Sequence, residues 1–182
     1  RFDGPFERIA YGAIQPMPPA KVEGGAAGFL LSHAVNNSFI VVNRLLQAGC
    51  PVEWLRGADT AAGRDAFYVT AGRQAAEIVR QAAQELGVPA WPAAQKPAGP
   101  AWPLATPRIA LWDLYGGSIP SGWTRWLLEQ YEFKGLQVVF PQEFDAGKLR
   151  EKYDVIILVD AAFAELGGVS KRELPQPKPE EI

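Results

Sequence analysis

The second half of the chain alternates between short apolar runs and amphipathic runs of helical length, and this order restricts the fold more than any other feature. The pattern predicts strands at residues 108–114, 136–140 and 155–159, separated by helices at 121–133 and 145–153. Strands that alternate with helices of this length form βαβ units with parallel strands. The last run, Val-Ile-Ile-Leu-Val, lacks polar alternation, which is typical of a central strand covered on both faces.

The first half repeats this order less regularly. Apolar runs predict short strands at residues 28–32, 52–55, 66–70 and 88–91. A helix capped by Asn36-Asn37-Ser38 should end at Gly49, and a second helix over 73–86 should end at Gly87. We therefore predict an α/β chain with a parallel sheet and two βα-rich halves.

Shifts in composition divide the chain into five segments. Residues 1–25 form an extended lead-in, 26–91 the first α/β half, 92–107 a Pro-rich connection, 108–165 the second half and 166–182 a polar, Pro-rich tail. Because the second half offers only three strands, we expect it to be incomplete unless it shares a sheet with the first half. The start at Arg1 suggests a piece of a longer protein.

Charge, cysteine content and hydropathy narrow the classes of function. The chain has 18 basic and 20 acidic residues without a basic stripe, which argues against nucleic-acid binding. No apolar run approaches the roughly 20 residues of a membrane span. The single cysteine, Cys50, excludes an intramolecular disulfide and a Cys-based metal cluster, and its apolar context predicts a buried thiol.

The segment from Trp112 to Trp126 is the strongest candidate for a binding site. Ligands of open parallel sheets bind beyond the carboxyl ends of strands, where a glycine pair and a helix start can present N–H groups to an anion. The candidate ligand-binding residues there are Asp113, Ser118, Ser121 and Arg125. In the alternative interpretation the glycines form a turn, Ser121 caps the helix, and Trp123 and Trp126 pack into the core.

Two further candidates follow other strands. Residues 32–38 hold the only histidine, His33, beside the amides Asn36 and Asn37, and Asp160 follows the strand at 155–159. Asp160 would bind a ligand or cap the next turn. A lone histidine cannot form a two-histidine zinc centre, and Asn36 stands where a His-x-x-Glu pair would need its glutamate. We predict neither a metal ligand nor a catalytic residue.

A hydrolase site is the weakest hypothesis for this chain. Ser32, Ser38 or Ser118 could combine with His33 and Asp113, because such triads are recognised by geometry and not by spacing. The sequence has no Gly-x-Ser-x-Gly elbow around these serines. A pairing of Cys50 with His33 is weaker still, since Cys50 lies at the entry of a predicted strand.

Three stretches, residues 32–38, 43–46 and 111–130, carry a resemblance to a known family. Over roughly residues 8–182 the chain resembles the region that follows the catalytic domain in large bacterial zinc carboxypeptidases of the carboxypeptidase A superfamily. The resemblance implies a class I glutamine amidotransferase-like fold with flavodoxin-like layers. It also implies an exported protein, periplasmic or extracellular.

The catalytic chemistry of these families has no counterpart here. The zinc site of a carboxypeptidase needs a His-x-x-Glu pair and a later histidine, and an amidotransferase needs a nucleophilic cysteine with a His-x-Glu segment; neither set maps onto this chain. Zinc is thus expected only in the parent's catalytic domain, and no cofactor in this chain. The leading hypothesis is a non-catalytic accessory domain that contacts that catalytic domain or a peptide or cell-wall substrate. The alternative is a small-molecule or anion-binding α/β module.

Overall fold

The computed structural model describes residues 18–22 and 27–159 as a mixed α/β structure. The predicted lead-in lies almost wholly outside the described residues, and Asp160 and the predicted tail lie outside them entirely. The elements are β1 Gly28–Leu31, α1 Ser38–Gln47, β2 Val52–Leu55, β3 Asp59–Thr60, β4 Gly63–Arg64, β5 Phe67–Thr70, α2 Arg73–Leu86, β6 Trp91–Ala93, β7 Ala101–Pro103, β8 Ile109–Trp112, α3 Ile119–Gln130, β9 Leu136–Val139, α4 Pro141–Asp145, α5 Leu149–Lys152 and β10 Val155–Ile157.

The first half forms a five-stranded sheet in the order β6-β1-β5-β2-β7, and every neighbouring pair is antiparallel. The prediction of a parallel sheet is wrong for this half. Strands β1 and β2 do run parallel, as a βαβ unit requires, but β5 lies between them and opposes both. In the same way β1 separates β5 from β6. The half thus consists of two split βαβ units that interleave, a βαββαβ arrangement. The order of elements along the chain is that of simple βαβ units, and for this reason it led to the wrong prediction.

The five-stranded sheet is covered on both faces. Helices α1 and α2 cover one face, where Leu31, Val41, Leu45 and Val69 are fully buried. The other face buries Leu30, Leu55 and Tyr68 beneath the β3–β4 hairpin, which contributes Ala62. Cys50 is a buried free thiol in the helix-side core, which confirms the prediction for that residue.

The Pro-rich connection supplies an edge strand on each side of this sheet. Strand β6 includes Pro92 at one edge, and β7 includes Pro103 at the other. A proline cannot donate a hydrogen bond to a further strand, so both edges resist the addition of another chain. The segment therefore closes the sheet in addition to connecting the two halves.

The second half forms a separate three-stranded sheet in the order β10-β8-β9, and both pairs are parallel, as predicted for this half. The prediction of a central strand over residues 155–159 is wrong, because β8 is central and β10 lies at the edge. All four residues of β8 are buried. In contrast, Val155, Ile156 and Leu158 are 42%, 39% and 42% exposed.

Two helices of the second half differ from their predicted bounds. Helix α3 begins at Ile119 because Ser118, and not Ser121, is its N-cap. The prediction of one helix over 145–153 is wrong: only the short helix α5 forms within it, and residue 145 is the last residue of another short helix, α4, which the sequence analysis did not predict. Gly147 and Lys148 separate them with φ values of 72° and 55°, a left-handed conformation that no α-helix continues through. None of the helices in residues 18–22 and 27–159 is long and apolar enough to cross a membrane.

Candidate functional site

The loop between β8 and α3 uses its polar side chains for local structure. The Ser118 Oγ accepts a hydrogen bond from the Ser121 N–H at 3.2 Å, which satisfies one of the free donors at the start of α3. The Asp113 Oδ1 accepts from the Leu114 N–H at 2.8 Å. Ser121 itself is almost fully buried beneath the helix. Three of the predicted anion-binding residues thus have structural partners.

The outer surface of α3 carries the remaining predicted residue of this segment. Arg125 forms an exposed ion pair with Glu129 at 2.7 Å, and this hydrogen bond raises the pKa of the guanidinium. Glu129 thus already satisfies part of the donor capacity of Arg125.

The interpretation of Trp123 and Trp126 as core residues is wrong. They are 66% and 52% exposed, and their rings meet edge to face at 5.8 Å. The more buried positions of α3 are Ser121, Thr124 and Leu128. The two tryptophans do lie on one side of the helix, as their spacing predicts, but that side faces the solvent and not the core.

The loop between β1 and α1 does not assemble a hydrolase site among the described residues. The Asn37 side chain donates to the Leu86 carbonyl at 3.0 Å and so joins the start of α1 to the end of α2. The Ser32 hydroxyl accepts from the Ala34 N–H. The buried His33 Nδ1 and Ser38 Oγ have no hydrogen-bond partner in the described part of the chain. No hydrogen bond joins His33 to a serine there, and no cluster of three His, Cys, Asp or Glu side chains could hold a metal ion.

A set of polar contacts that the sequence analysis missed joins the two halves. Asn43, buried on α1, donates to the Tyr131 carbonyl at 2.7 Å. The Arg44 guanidinium binds the Glu132 carboxylate with N···O distances of 2.8–3.1 Å, and this hydrogen bond raises the pKa of Arg44. Gln47 donates to the Glu132 carbonyl at 2.8 Å. We call Asn43, Arg44, Gln47, Tyr131 and Glu132 the polar latch.

An apolar cavity of about 260 Å³ lies beside the polar latch, between the halves. The described part of its wall is largely apolar, with Asn43 as its one amide side chain. The described lining residues are Phe39, Val42, Asn43, Leu46, Trp54, Phe67, Leu104, Ala105, Pro107 and Phe133. A second depression of about 430 Å³ shares Phe39 and Phe133 with it and is also lined by Asn36. Among the candidates from the sequence analysis that the structure describes, only Asn36 lines either depression.

A row of aromatic rings leads from this cavity to the edge of the five-stranded sheet. Successive ring centroids lie 5.5 Å apart from Phe39 to Phe67, 6.2 Å from Phe67 to Trp54 and 6.3 Å from Trp54 to Trp102. These residues belong to α1, β5, β2 and β7, so only the folded topology brings them together. Arg56 lies at the end of the row, with its guanidinium carbon 4.8 Å and 4.9 Å from the rings of Trp54 and Trp102.

Comparisons with known proteins found no match: no family model, no curated protein and no solved structure matches the chain.

Proposed function

We propose that the chain is a non-catalytic interaction domain of a zinc carboxypeptidase-like protein, and that it binds its partner through α3. The binding surface is the outer side of the helix, which we call the α3 face: Ile119, Trp123, Trp126 and Leu127. The single observation that carries the proposal is the exposure of both tryptophans. The predicted partner is the parent's catalytic domain, which would hold the zinc.

The α3 face has the composition of a protein interface. Tryptophan is strongly enriched among residues that dominate binding energy, and contiguous apolar surface on a folded protein marks interaction sites. Trp123 and Trp126 touch each other, and Ile119 and Leu127 extend the apolar surface along the helix with 79% and 50% exposure. Glu129 and Arg125 provide a charged border. An apolar centre with a polar rim is the usual anatomy of such a surface.

The parent class rests on the resemblance of residues 32–38, 43–46 and 111–130 to the region beyond the catalytic domain of large bacterial zinc carboxypeptidases. The strand order β9-β8-β10 supports it, because a central first strand with the second and third on either side also begins the flavodoxin-like order. Export to the periplasm or the extracellular space, and a peptide or cell-wall substrate for the parent, are parts of the same proposal.

A binding assay with the catalytic domain of a zinc carboxypeptidase of the resembled class tests the proposal. We expect the purified chain to bind that domain, and the variant Trp123→Ala/Trp126→Ala to bind at least about tenfold more weakly, because each interfacial tryptophan contributes on the order of 2 kcal/mol. Trp102→Ala is the matched control, since Trp102 is 54% exposed but lies on β7.

Two outcomes would overturn the proposal. An affinity that is unchanged in the double variant, or equally reduced in Trp102→Ala, would remove the α3 face from the interaction. Stoichiometric zinc together with carboxypeptidase turnover by this chain alone would contradict a non-catalytic role.

A further inference from the structure

A groove on the helix side of the five-stranded sheet combines an apolar cavity with a guanidinium that has no ion-pair partner among the described residues. We call it the aromatic groove, and define it by Phe39, Trp54, Phe67, Phe133 and Arg56. The first four line the cavity between the halves. Arg56 is not among the described lining residues, but its guanidinium stacks at 4.8 Å on the ring of Trp54, which forms part of the cavity wall. None of these five residues belongs to the α3 face, although Leu127 of that face lines the neighbouring depression together with Phe39 and Phe133.

In the described part of the chain, the contacts of the Arg56 guanidinium are with aromatic rings and not with a carboxylate. It stacks against Trp54 and Trp102, and within residues 18–22 and 27–159 it forms no ion pair and donates no side-chain hydrogen bond. The nearby Asp65 carboxylate accepts a hydrogen bond from the Gly57 N–H at 2.5 Å and does not pair with Arg56. Contacts of this kind leave the N–H edges of an arginine free for a planar, bidentate anion.

The Trp54 ring on which Arg56 stacks is itself held in place. The Trp54 indole N–H donates to the Asp65 carbonyl at 2.9 Å, which sets the plane of the ring against which the guanidinium lies. Trp54 also packs against Phe67 and meets Trp102 edge to face. A site built on a sheet and braced in this way loses little side-chain entropy when a ligand binds.

The cavity itself selects an apolar group. Among the described lining residues, the polar groups are the Asn43 amide, which already donates to the Tyr131 carbonyl, and the Trp54 indole N–H, which donates to the Asp65 carbonyl. A volume of about 260 Å³ is close to the lower end of the range for small-molecule sites, which are typically apolar and lie between structural units. A single ring or a short aliphatic chain fits these requirements.

We propose that the aromatic groove binds a small amphipathic carboxylate. The apolar body lies in the cavity against Phe39, Phe67 and Phe133, and the carboxylate accepts hydrogen bonds from Arg56. A positive charge on the Trp54 ring, beside an otherwise apolar cavity, favours an anion, and the planar fork of the guanidinium favours a carboxylate. A carboxylate at the end of an aromatic or an aliphatic chain presents the same chemistry to Arg56.

Calorimetric titration of the full chain with pairs of an acid and its amide tests this proposal. The probes are 4-phenylbutyrate and 4-phenylbutyramide for an aromatic body, and octanoate and octanamide for an aliphatic one. We expect the acid of the preferred pair to bind about tenfold or more tightly than its amide, as one charge-assisted hydrogen-bonded contact allows. Arg56→Gln should abolish this difference without weakening the amide, and Arg56→Lys should retain part of it.

A second pair of variants tests the location. Ala105 lines the cavity and is exposed at the surface of the connection, so Ala105→Trp should fill the cavity without disturbing the core and abolish binding of both acid and amide. Thr106→Trp, at the next exposed position, is the control and should bind normally. Circular dichroism checks that each variant is folded.

Several results would overturn the proposal. Acid and amide of equal affinity would show that Arg56 does not select an anion, and binding that survives Ala105→Trp would place the ligand elsewhere. The absence of binding by all four probes up to about 10 mM, which corresponds to roughly −3 kcal/mol, would also contradict it. None of these results depends on the α3 face, so the interaction proposal stands or fails separately.

Discussion

The two halves of the molecule differ in how completely their sheets are covered by other parts of the chain. The antiparallel half buries both faces of five strands, with one core under α1 and α2 and another under the β3–β4 hairpin. The parallel half has three short strands and a buried cluster of Ala110, Trp112, Val139 and Tyr153. Because apolar burial is the main source of folding free energy, the first half should be the more stable unit.

The edges of the two sheets show the same contrast. Prolines in β6 and β7 block both edges of the antiparallel sheet, whereas β10 presents an apolar edge without proline or charge. The parallel half also exposes the tryptophans of α3. The difference teaches that the parallel half depends on surfaces outside its own sheet. One such surface belongs to α1, which contacts the parallel half through the polar latch.

Core truncations provide the strongest test of this comparison. Leu45 in α1 and Leu111 in β8 are both fully buried, so each change to alanine should cost about 2–5 kcal/mol. We expect Leu45→Ala to lower the unfolding free energy of the whole chain. Leu111→Ala should open the parallel half while amide protection persists in β1 and β5, as measured by hydrogen exchange with mass spectrometry.

Leu127→Ala, at a half-exposed position of α3, is the control for these truncations and should leave protection nearly unchanged. Equal loss of protection in both halves of Leu111→Ala would show that the molecule unfolds as one cooperative unit and would break the comparison.

The polar latch should have the next largest effect. Asn43→Ala removes the donor to the Tyr131 carbonyl and should destabilise the parallel half by about 1–3 kcal/mol, the usual penalty for a buried polar group left without a partner. Chemical denaturation followed by hydrogen exchange measures this. Gln47→Ala, whose side chain is exposed, should cost less than about 1 kcal/mol. A larger cost for Gln47 than for Asn43 would contradict the assigned order of contributions.

The sequence predicts local elements better than their arrangement. Apolar periodicity located α1, α2 and the strands of the parallel half, because these depend on neighbours in the chain. It could not show that β5 inserts between β1 and β2, since that pairing depends on contacts distant in sequence. For the same reason it placed residues 155–159 at the centre of a sheet and not at its edge.

The candidate site was less predictable still. Ser118 and Ser121 were selected for their polar side chains, but a helix cap uses those side chains as readily as a ligand would. The aromatic groove takes residues from α1, β2, β5 and two loops, with no spacing in the sequence that reveals it. Only the polar latch left a signal: Asn43 interrupts the apolar stripe of a helix and therefore needs a buried partner.

Tyr153 gives the parallel half a dependence on pH. Burial, with the hydrogen bond from its hydroxyl to the Glu143 carboxylate, raises the pKa of Tyr153 to about 12. Above the ordinary tyrosine pKa of about 10 the unfolded state loses its phenolic proton first. The stabilisation is therefore complete below pH 10 and is lost as the pH rises through about 12.

The variant Tyr153→Phe measures this contribution. It should cost about 1 kcal/mol at neutral pH and should flatten the decline in unfolding free energy of the parallel half between pH 10 and 12. Denaturation at a series of pH values, with phenolate absorbance as a second signal, reports both quantities. An equally steep decline in the variant would assign the pH dependence to another group.

Substitution of Lys148 should give the smallest change in unfolding free energy, and this change should be stabilising. The φ of this residue, 55°, lies in the left-handed region, where a side chain is strained and glycine is not. Lys148→Gly relieves that strain but gives the unfolded chain more freedom, so the net stabilisation should be only about 0.5 kcal/mol. Lys148→Ala keeps the strain and is the matched control in thermal denaturation. Because Lys148 separates α4 from α5, a gain confined to the parallel half would show that this half also unfolds on its own.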